Sequence, residues 1–265
     1  MAAACSNSRF GIIVGALLPY FMQISIYQDY EALSWHAADT IMEFVGQHPG
    51  AVLCLAAGDT PRLAYQLIAE SAAEGKADFR RCTFVGLDEW VGIPPENEGS
   101  CHYFLRRHLF DPLQIPEDAI HLFDGLSDDL DYECKKMNEI ISAKGGIDLM
   151  LVGVGINGHI GLNEPGVSPH LYAHVVELDS ATQTMGQKYF KQQTPLTRGI
   201  TLGLKHLLEA RKVILIANGT RKAEIIRQAL EGPVTPDLPA SIIRMHRDSR
   251  VMLDEAAAAA LTRRP

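Results

Sequence analysis

Four short polar clusters in the 265-residue sequence carry residue types that move protons or hold anions. The densest is Gly155-Ile156-Asn157-Gly158-His159-Ile160-Gly161-Leu162-Asn163-Glu164-Pro165-Gly166. An imidazole such as His159 donates or accepts a proton near neutrality, and Glu164 in the same loop can orient the ring and stabilise its charged form. A lone His is more often structural, but a His, an Asn and an acid in one glycine-rich loop favour catalysis. Asp88-Glu89-Trp90 supplies two adjacent carboxylates whose side chains face opposite sides if the segment is extended, so that one of them reaches a crevice. Partial burial would raise its pKa towards that of a general base, the plainer reading being a helix cap or a surface ion pair.

Ala57-Gly58-Asp59-Thr60-Pro61 reads as a tight turn into a helix, with Thr60 as N-cap and Pro61 at the first helical position. Backbone N–H groups and the helix dipole suit a phosphate there, although the spacing is neither that of a P-loop nor of a dinucleotide fingerprint. Asn218-Gly219-Thr220-Arg221-Lys222 is a second such turn, and a cation in a first helical turn opposes the dipole. That placement makes sense if Lys222 serves an anion, the default being a surface lysine. Two phosphate-suited helix starts, one candidate base and one candidate His point to a phosphorylated small molecule as substrate.

Each cluster follows a short, almost unbroken apolar run: AVLCLA (51–56), CTFVGL (82–87), IDLMLVGVG (147–155) and KVILIA (212–217). Such runs fit strands buried on both faces of a parallel sheet. Amphipathic stretches near 61–75, 99–110, 128–143 and 219–231 read as covering helices, and the alanine run at 256–260 as part of a terminal helix. The pattern predicts an α/β fold with a Rossmann-like doubly wound, mostly parallel sheet, in which ligands bind beyond the carboxyl ends of the strands.

With 24 Lys+Arg against 32 Asp+Glu the net charge is −8, and no basic run tracks a phosphate backbone, which disfavours nucleic-acid partners. Hydrophobic residues at 47% and charged residues at 21% describe an ordinary globular chain. Five scattered cysteines lack a CxxC or zinc-like spacing, so we expect a reducing compartment and no metal, and assign none of them a role. Residues 10–22, FGIIVGALLPYFM, are too short to span a bilayer and lack a clean cleavage site. They read as part of an N-terminal extension over 1–21, ahead of a single domain over 22–265 that opens with a strand and an amphipathic helix. A cytoplasmic location without membrane attachment follows as an expectation.

GDTP, LDEWVG, GxNGHIGLNEPG, ITLGL and NGTRKAEII, in this order and at these separations, resemble the glucosamine-6-phosphate deaminase family, which includes the galactosamine-6-phosphate deaminase/isomerases. The likeness runs from about Met22 to near the C-terminus, and GHIGLNEPG is its most specific stretch. It implies a phosphosugar-isomerase-like fold, catalysis without a cofactor, and a homo-oligomer. Carried over residue by residue, it makes Asp88 the base that moves a proton from C2 to C1, His159 the acid/base that opens the sugar ring, and Glu164 its acidic partner. Asn157 falls where several members have Asp and others, like this chain, have Asn. Gly58, Thr60 and Lys222, with Asp59 between the first two, match the region that binds the 6-phosphate. The implied reaction is ring opening, an aldose-to-ketose proton shift through a cis-enolamine, and loss of the C2 amine as ammonia.

Several features depart from that pattern. Gln183 stands near the position of a phosphate-binding Arg, for which Lys188 or Arg198 is the candidate replacement. Pro169–Val175 lacks the Arg/Lys pattern of allosterically activated members, so adding N-acetylglucosamine 6-phosphate is expected to leave half-saturating substrate unchanged. FVGLDEW, TRGITLGLKHLLEARKVILIANG and LPASIIRMH look closer to the galactosamine type, with Trp90 as a candidate wall for the sugar. The rivals are a 6-phosphogluconolactonase, against which NEPG after the His speaks, and a non-catalytic sugar-phosphate sensor, for which no length is left over for a helix-turn-helix domain.

Overall fold

The computed structural model describes residues 21–263; of the extension read over 1–21, residues 1–20 lie outside them, and Phe21 instead begins the first strand. The chain opens with β1 (Phe21–Tyr27) and α1 (Tyr30–Gln47), followed by β2 (Val52–Leu55) and α2 (Asp59–Ala73). Next come β3 (Thr83–Val85), β4 (Asp88–Trp90), α3 (Cys101–Leu105), a π-helical turn over Arg106–Phe110, α4 (Asp111–Leu113) and β5 (Ile120–His121). The second half holds α5 (Leu130–Ala143), β6 (Leu149–Val152), β7 (His174–Glu177), α6 (Ser180–Gly186), β8 (Arg198–Thr201) and α7 (Leu204–Glu209). It ends with β9 (Lys212–Ala217), α8 (Ala223–Glu231) and β10 (Asp248–Asp254).

Seven strands form one sheet in the order β1-β10-β9-β6-β2-β3-β5, and every pairing in it is parallel. The expected doubly wound sheet is therefore present. From β2 the chain first adds β3 and β5 on one side, then returns to add β6, β9 and β10 on the other. The reversal lies between β2 and β6, where the crevice of an open α/β sheet forms.

Helices cover both faces because the apolar strands alternate their side chains between two cores. Leu53, Leu55, Leu149, Leu151, Ile214 and Ile216 face one core with Leu33, Ile41 and Val45 of α1 and Tyr65 and Ile68 of α2. Cys54, Met150, Val152, Val213 and Leu215 face the other with Met137 and Ile141 of α5, Leu207 of α7 and Ile226 of α8. Burial of each such Leu or Ile contributes about 1.5–3 kcal/mol.

Two features differ from expectation. Asp88–Trp90, read as following directly from the CTFVGL strand, is a strand of its own, β4, which joins β8 and β7 in a separate three-stranded antiparallel sheet. Trp90, Leu162, Leu178 and Leu196 form a small core of their own with Phe190. The alanine run at 256–260 forms turns rather than a helix, held by Asp254, whose Oδ1 accepts from the Ala257 N–H at 2.7 Å. Among the described residues no helix is long and apolar enough to cross a membrane.

Candidate active site

The four apolar runs singled out in the sequence are β9, β6, β2 and β3, which are consecutive neighbours at the centre of the sheet. Their carboxyl ends open side by side into a cleft of about 230 Å³. Gly58, Asp59, Thr60, Asp88, Asn157, His159 and Lys222 all line it. Glu164 lies just behind, buried against the imidazole.

The β6 loop holds His159 from several sides. Glu164 Oε2 is 3.5 Å from His159 Nδ1, with side-chain exposures of 8% and 18%, and Thr182 Oγ1 of α6 is 3.0 Å from the same nitrogen. Asn157 Nδ2 donates to Glu164 Oε2 at 2.9 Å, while Asn157 Oδ1 accepts the His159 N–H at 3.3 Å. Burial pushes the Glu164 carboxyl up, but hydrogen bonds from His159, Thr182 and Asn157 outweigh it and hold the carboxyl below its ordinary value. Gly155 is required here because a Cβ on it would collide with the His159 ring.

The two carboxylates of β4 part as the extended geometry requires. Glu89 turns into the protein, where Oε1 accepts the Trp90 and Cys101 N–H groups at 2.9 and 3.0 Å and Oε2 accepts the His102 N–H at 2.9 Å. It caps α3 and is pushed up to about 7 by burial. Asp88 faces the cleft. Burial raises its carboxyl to about 6, against lowering by a hydrogen bond from Cys101 and by His159. A carboxylate at that value is still ionised at neutral pH and accepts a proton more readily than an ordinary Asp.

At the end of β2, the N-cap of α2 is Gly58, with φ 126° and no side-chain cap, so the start of the helix stays open to the cleft. Thr60 is not the N-cap. It lies inside the first turn, with Pro61 after it, and its hydroxyl donates to Asn218 Oδ1 at 2.8 Å, tying the β2 and β9 turns together. The Asp59 carboxylate is held by Arg62 and Lys188, each at 2.7 Å. Lys222 ends a 3₁₀ turn over Thr220–Lys222 and donates to the Val154 carbonyl at 2.6 Å. Burial, then Lys188 and Arg221, bring its ammonium down to about 8.

Of the two candidate replacements for a phosphate-binding Arg, Lys188 lines the cleft, whereas Arg198 is exposed at the start of β8 and does not line it. Gln183 does not line it either, because its Nε2 donates back to the Leu178 carbonyl at 2.8 Å. Trp90, the candidate wall for the sugar, is 7% exposed, lines the cleft and packs edge-on against Phe190. Sequence reasoning missed Thr182, Tyr189 and Cys101, all of which line the cleft. They sit in segments with no local chemical signature, and only long-range packing brings them in. Among the described residues no group of three or more His, Cys, Asp or Glu is placed to hold a metal ion.

Comparison with known proteins agrees with the fold. The glucosamine-6-phosphate deaminase of Lachnoclostridium phytofermentans is 41% identical over 232 residues, 87% of this chain and 98% of its own. A solved structure of a monomeric glucosamine-6-phosphate deaminase superposes with a TM-score of 0.87 at 32% identity, over 90% of this chain and all of that one. The 6-phosphogluconolactonase of Trypanosoma brucei shares the fold, with a TM-score of 0.76 at 20% identity over 92% of this chain and all of that one. The family described as glucosamine-6-phosphate isomerases/6-phosphogluconolactonase matches residues 28–253, and the chain belongs to it.

Proposed function

We infer that the protein converts a 2-amino-2-deoxyhexose 6-phosphate and water into a ketohexose 6-phosphate and ammonia. The observation that carries this reading is the placement of one half-buried carboxylate, Asp88, in the same cleft as a His159–Glu164–Asn157–Thr182 network. A proton shuttled between adjacent carbons requires one base that reaches both, and ring opening requires a separate acid/base group.

Thr182 and Glu164 occupy His159 Nδ1, so exchange with the substrate falls to Nε2. His159 moves the C1 hydroxyl proton to the ring oxygen and frees the aldehyde. Asp88 takes the C2 proton, giving the enolamine, and returns it at C1. The C1 oxygen of the enolamine takes its proton from the C2 ammonium, and the C2 iminium formed when C1 is protonated takes up water and releases ammonia, leaving the ketone. Lys222, Lys188 and the open start of α2 at Gly58 and Thr60 hold the 6-phosphate, and on its arrival Lys188 exchanges the Asp59 carboxylate for the phosphate.

The relatives' names favour glucosamine 6-phosphate over the galactosamine epimer suggested by FVGLDEW and the later segments. The two differ only at C4, a contrast that a few contacts near Trp90 would read. The test is side-by-side release of ammonia and ketose 6-phosphate from both amino sugars, with 6-phosphogluconolactone as control. Faster turnover of glucosamine 6-phosphate is expected. Faster turnover of the epimer would restore the galactosamine assignment, and acid release from the lactone alone would overturn deamination.

A further inference from the structure

Asp88 does not stand alone at the end of β4. Cys101, the first residue of α3, lines the same cleft, and its Sγ donates to Asp88 Oδ1 at 3.5 Å. The approach is built from the neighbouring carboxylate: Glu89 accepts the Cys101 and His102 N–H groups, which locks the start of α3 against β4. Ser100 completes the lock as N-cap, its Oγ accepting the Tyr103 N–H at 2.9 Å. Adjacent carboxylates on opposite faces of one strand thus grip the same helix start, one through backbone amides and the other through a thiol. The second Asp88 oxygen lies on the side of the β6 loop, where a Cβ placed on Gly161 would come within 3.4 Å of Oδ2.

We propose that Cys101 is a positioning residue for the proton-transferring carboxylate, its S–H holding Asp88 Oδ1 so that Oδ2 is the oxygen presented to the substrate. A carboxylate that takes a proton from one carbon and returns it to the next must keep one oxygen in place through both steps, and a donor on the other oxygen prevents the group from rotating. A thiol suits the task because it is a weak donor that orients the carboxylate without stabilising its charge enough to spoil its basicity. Burial, with Glu89 and Asp88 beside it, pushes the Cys101 thiol well above its ordinary value, so it remains a donor and never becomes a second anion. The same burial argues against a nucleophilic role.

The inference rests on the deaminase reading, and its test is chosen to separate the two. Cys101→Ala and Cys101→Ser are compared with wild type by kcat and KM across pH, and by carbon-13 titration of the Asp88 carboxyl in the free protein. Cys101→Ala removes the donor, so the Asp88 titration and the acid limb of kcat should move up by about half to one pH unit. Its kcat at neutral pH should fall about three- to tenfold with KM nearly unchanged. Cys101→Ser restores a stronger donor, so both readouts should move below wild type while kcat largely recovers. Unchanged Asp88 titration in both variants overturns the proposal, as does an equal loss of kcat in both with no shift of the acid limb. If wild type turns over neither amino sugar, the deaminase reading fails, while the carboxyl titration still decides whether Cys101 tunes Asp88.

Discussion

Asp88 and His159 share one cleft but owe their chemistry to different neighbours. Asp88→Asn keeps the shape and the Cys101 contact but removes the proton acceptor, so kcat should fall by about 10²–10⁴ with KM nearly unchanged. Near-normal turnover would remove Asp88 from the role. The same substitution should stabilise the fold at alkaline pH. Because the native carboxyl titrates at about 6 rather than 3.8, the folded protein holds that proton more tightly than the unfolded chain, and stability is lost as pH rises through this window. In thermal melts Asp88→Asn should exceed wild type by about 1–2 kcal/mol at pH 8 and match it at pH 3.5 and below. Lys222, brought down to about 8, loses its charge above that pH, and on the proposed reading its grip on phosphate weakens with it. The profile of kcat/KM should therefore be a bell with limbs near 6 and 8; a flat alkaline limb would remove Lys222 from phosphate binding. Asn157 holds Glu164 through its neutral amide, so this contact in the network carries no charge from position 157.

At the scale of elements, β4 and the start of α3 bring Asp88, the proposed base, to the cleft. Glu89 accepts three backbone N–H groups there, and removing its carboxylate leaves those donors buried without partners. Glu89→Ala should lower stability by about 2–3 kcal/mol, or several degrees in Tm, and should reduce kcat by letting α3 drift from Asp88. An unchanged Tm would show that α3 does not depend on this cap. In the β6 loop, Gly155→Ala should cut kcat at least tenfold while the protein still folds, since the added methyl meets the His159 ring and not the core; circular dichroism beside the turnover assay separates the two effects. The opposite facing of Asp88 and Glu89 was legible from strand alternation alone, whereas the helix cap, read as the alternative for the carboxylate facing the crevice, falls to Glu89 on the other side. Thr60 misled because a Thr before a Pro reads as an N-cap. The positive φ of Gly58 starts the helix earlier, and the hydroxyl finds Asn218 instead.

For the whole molecule, the sheet order gathers four chemical clusters that are scattered over the chain. The single domain from residue 22 remains a proposal, tested by a chain that begins at Met22, which should keep its Tm and kcat/KM within about twofold. The homo-oligomer implied by the family resemblance is likewise a proposal. Sedimentation equilibrium should give a mass that is a multiple of 29.1 kDa, and a single species at 29.1 kDa would instead align the chain with the relative described as monomeric. By itself the sequence determined the central strands, their parallel winding and the residues at their ends. Unbroken apolar runs of strand length specify burial on both faces, and polar, glycine-rich residues just beyond them collect at the carboxyl ends of the strands. Only the tertiary structure decided that Thr182 meets His159, that Cys101 meets Asp88, that Lys188 rather than Arg198 enters the cleft, and that β4 leaves the main sheet. β4 is three residues long and pairs with β8 more than a hundred residues later, too short for periodicity to register and too distant for local spacing to foresee. Local patterns encode which residues are buried, whereas the packing of distant segments chooses which of them touch.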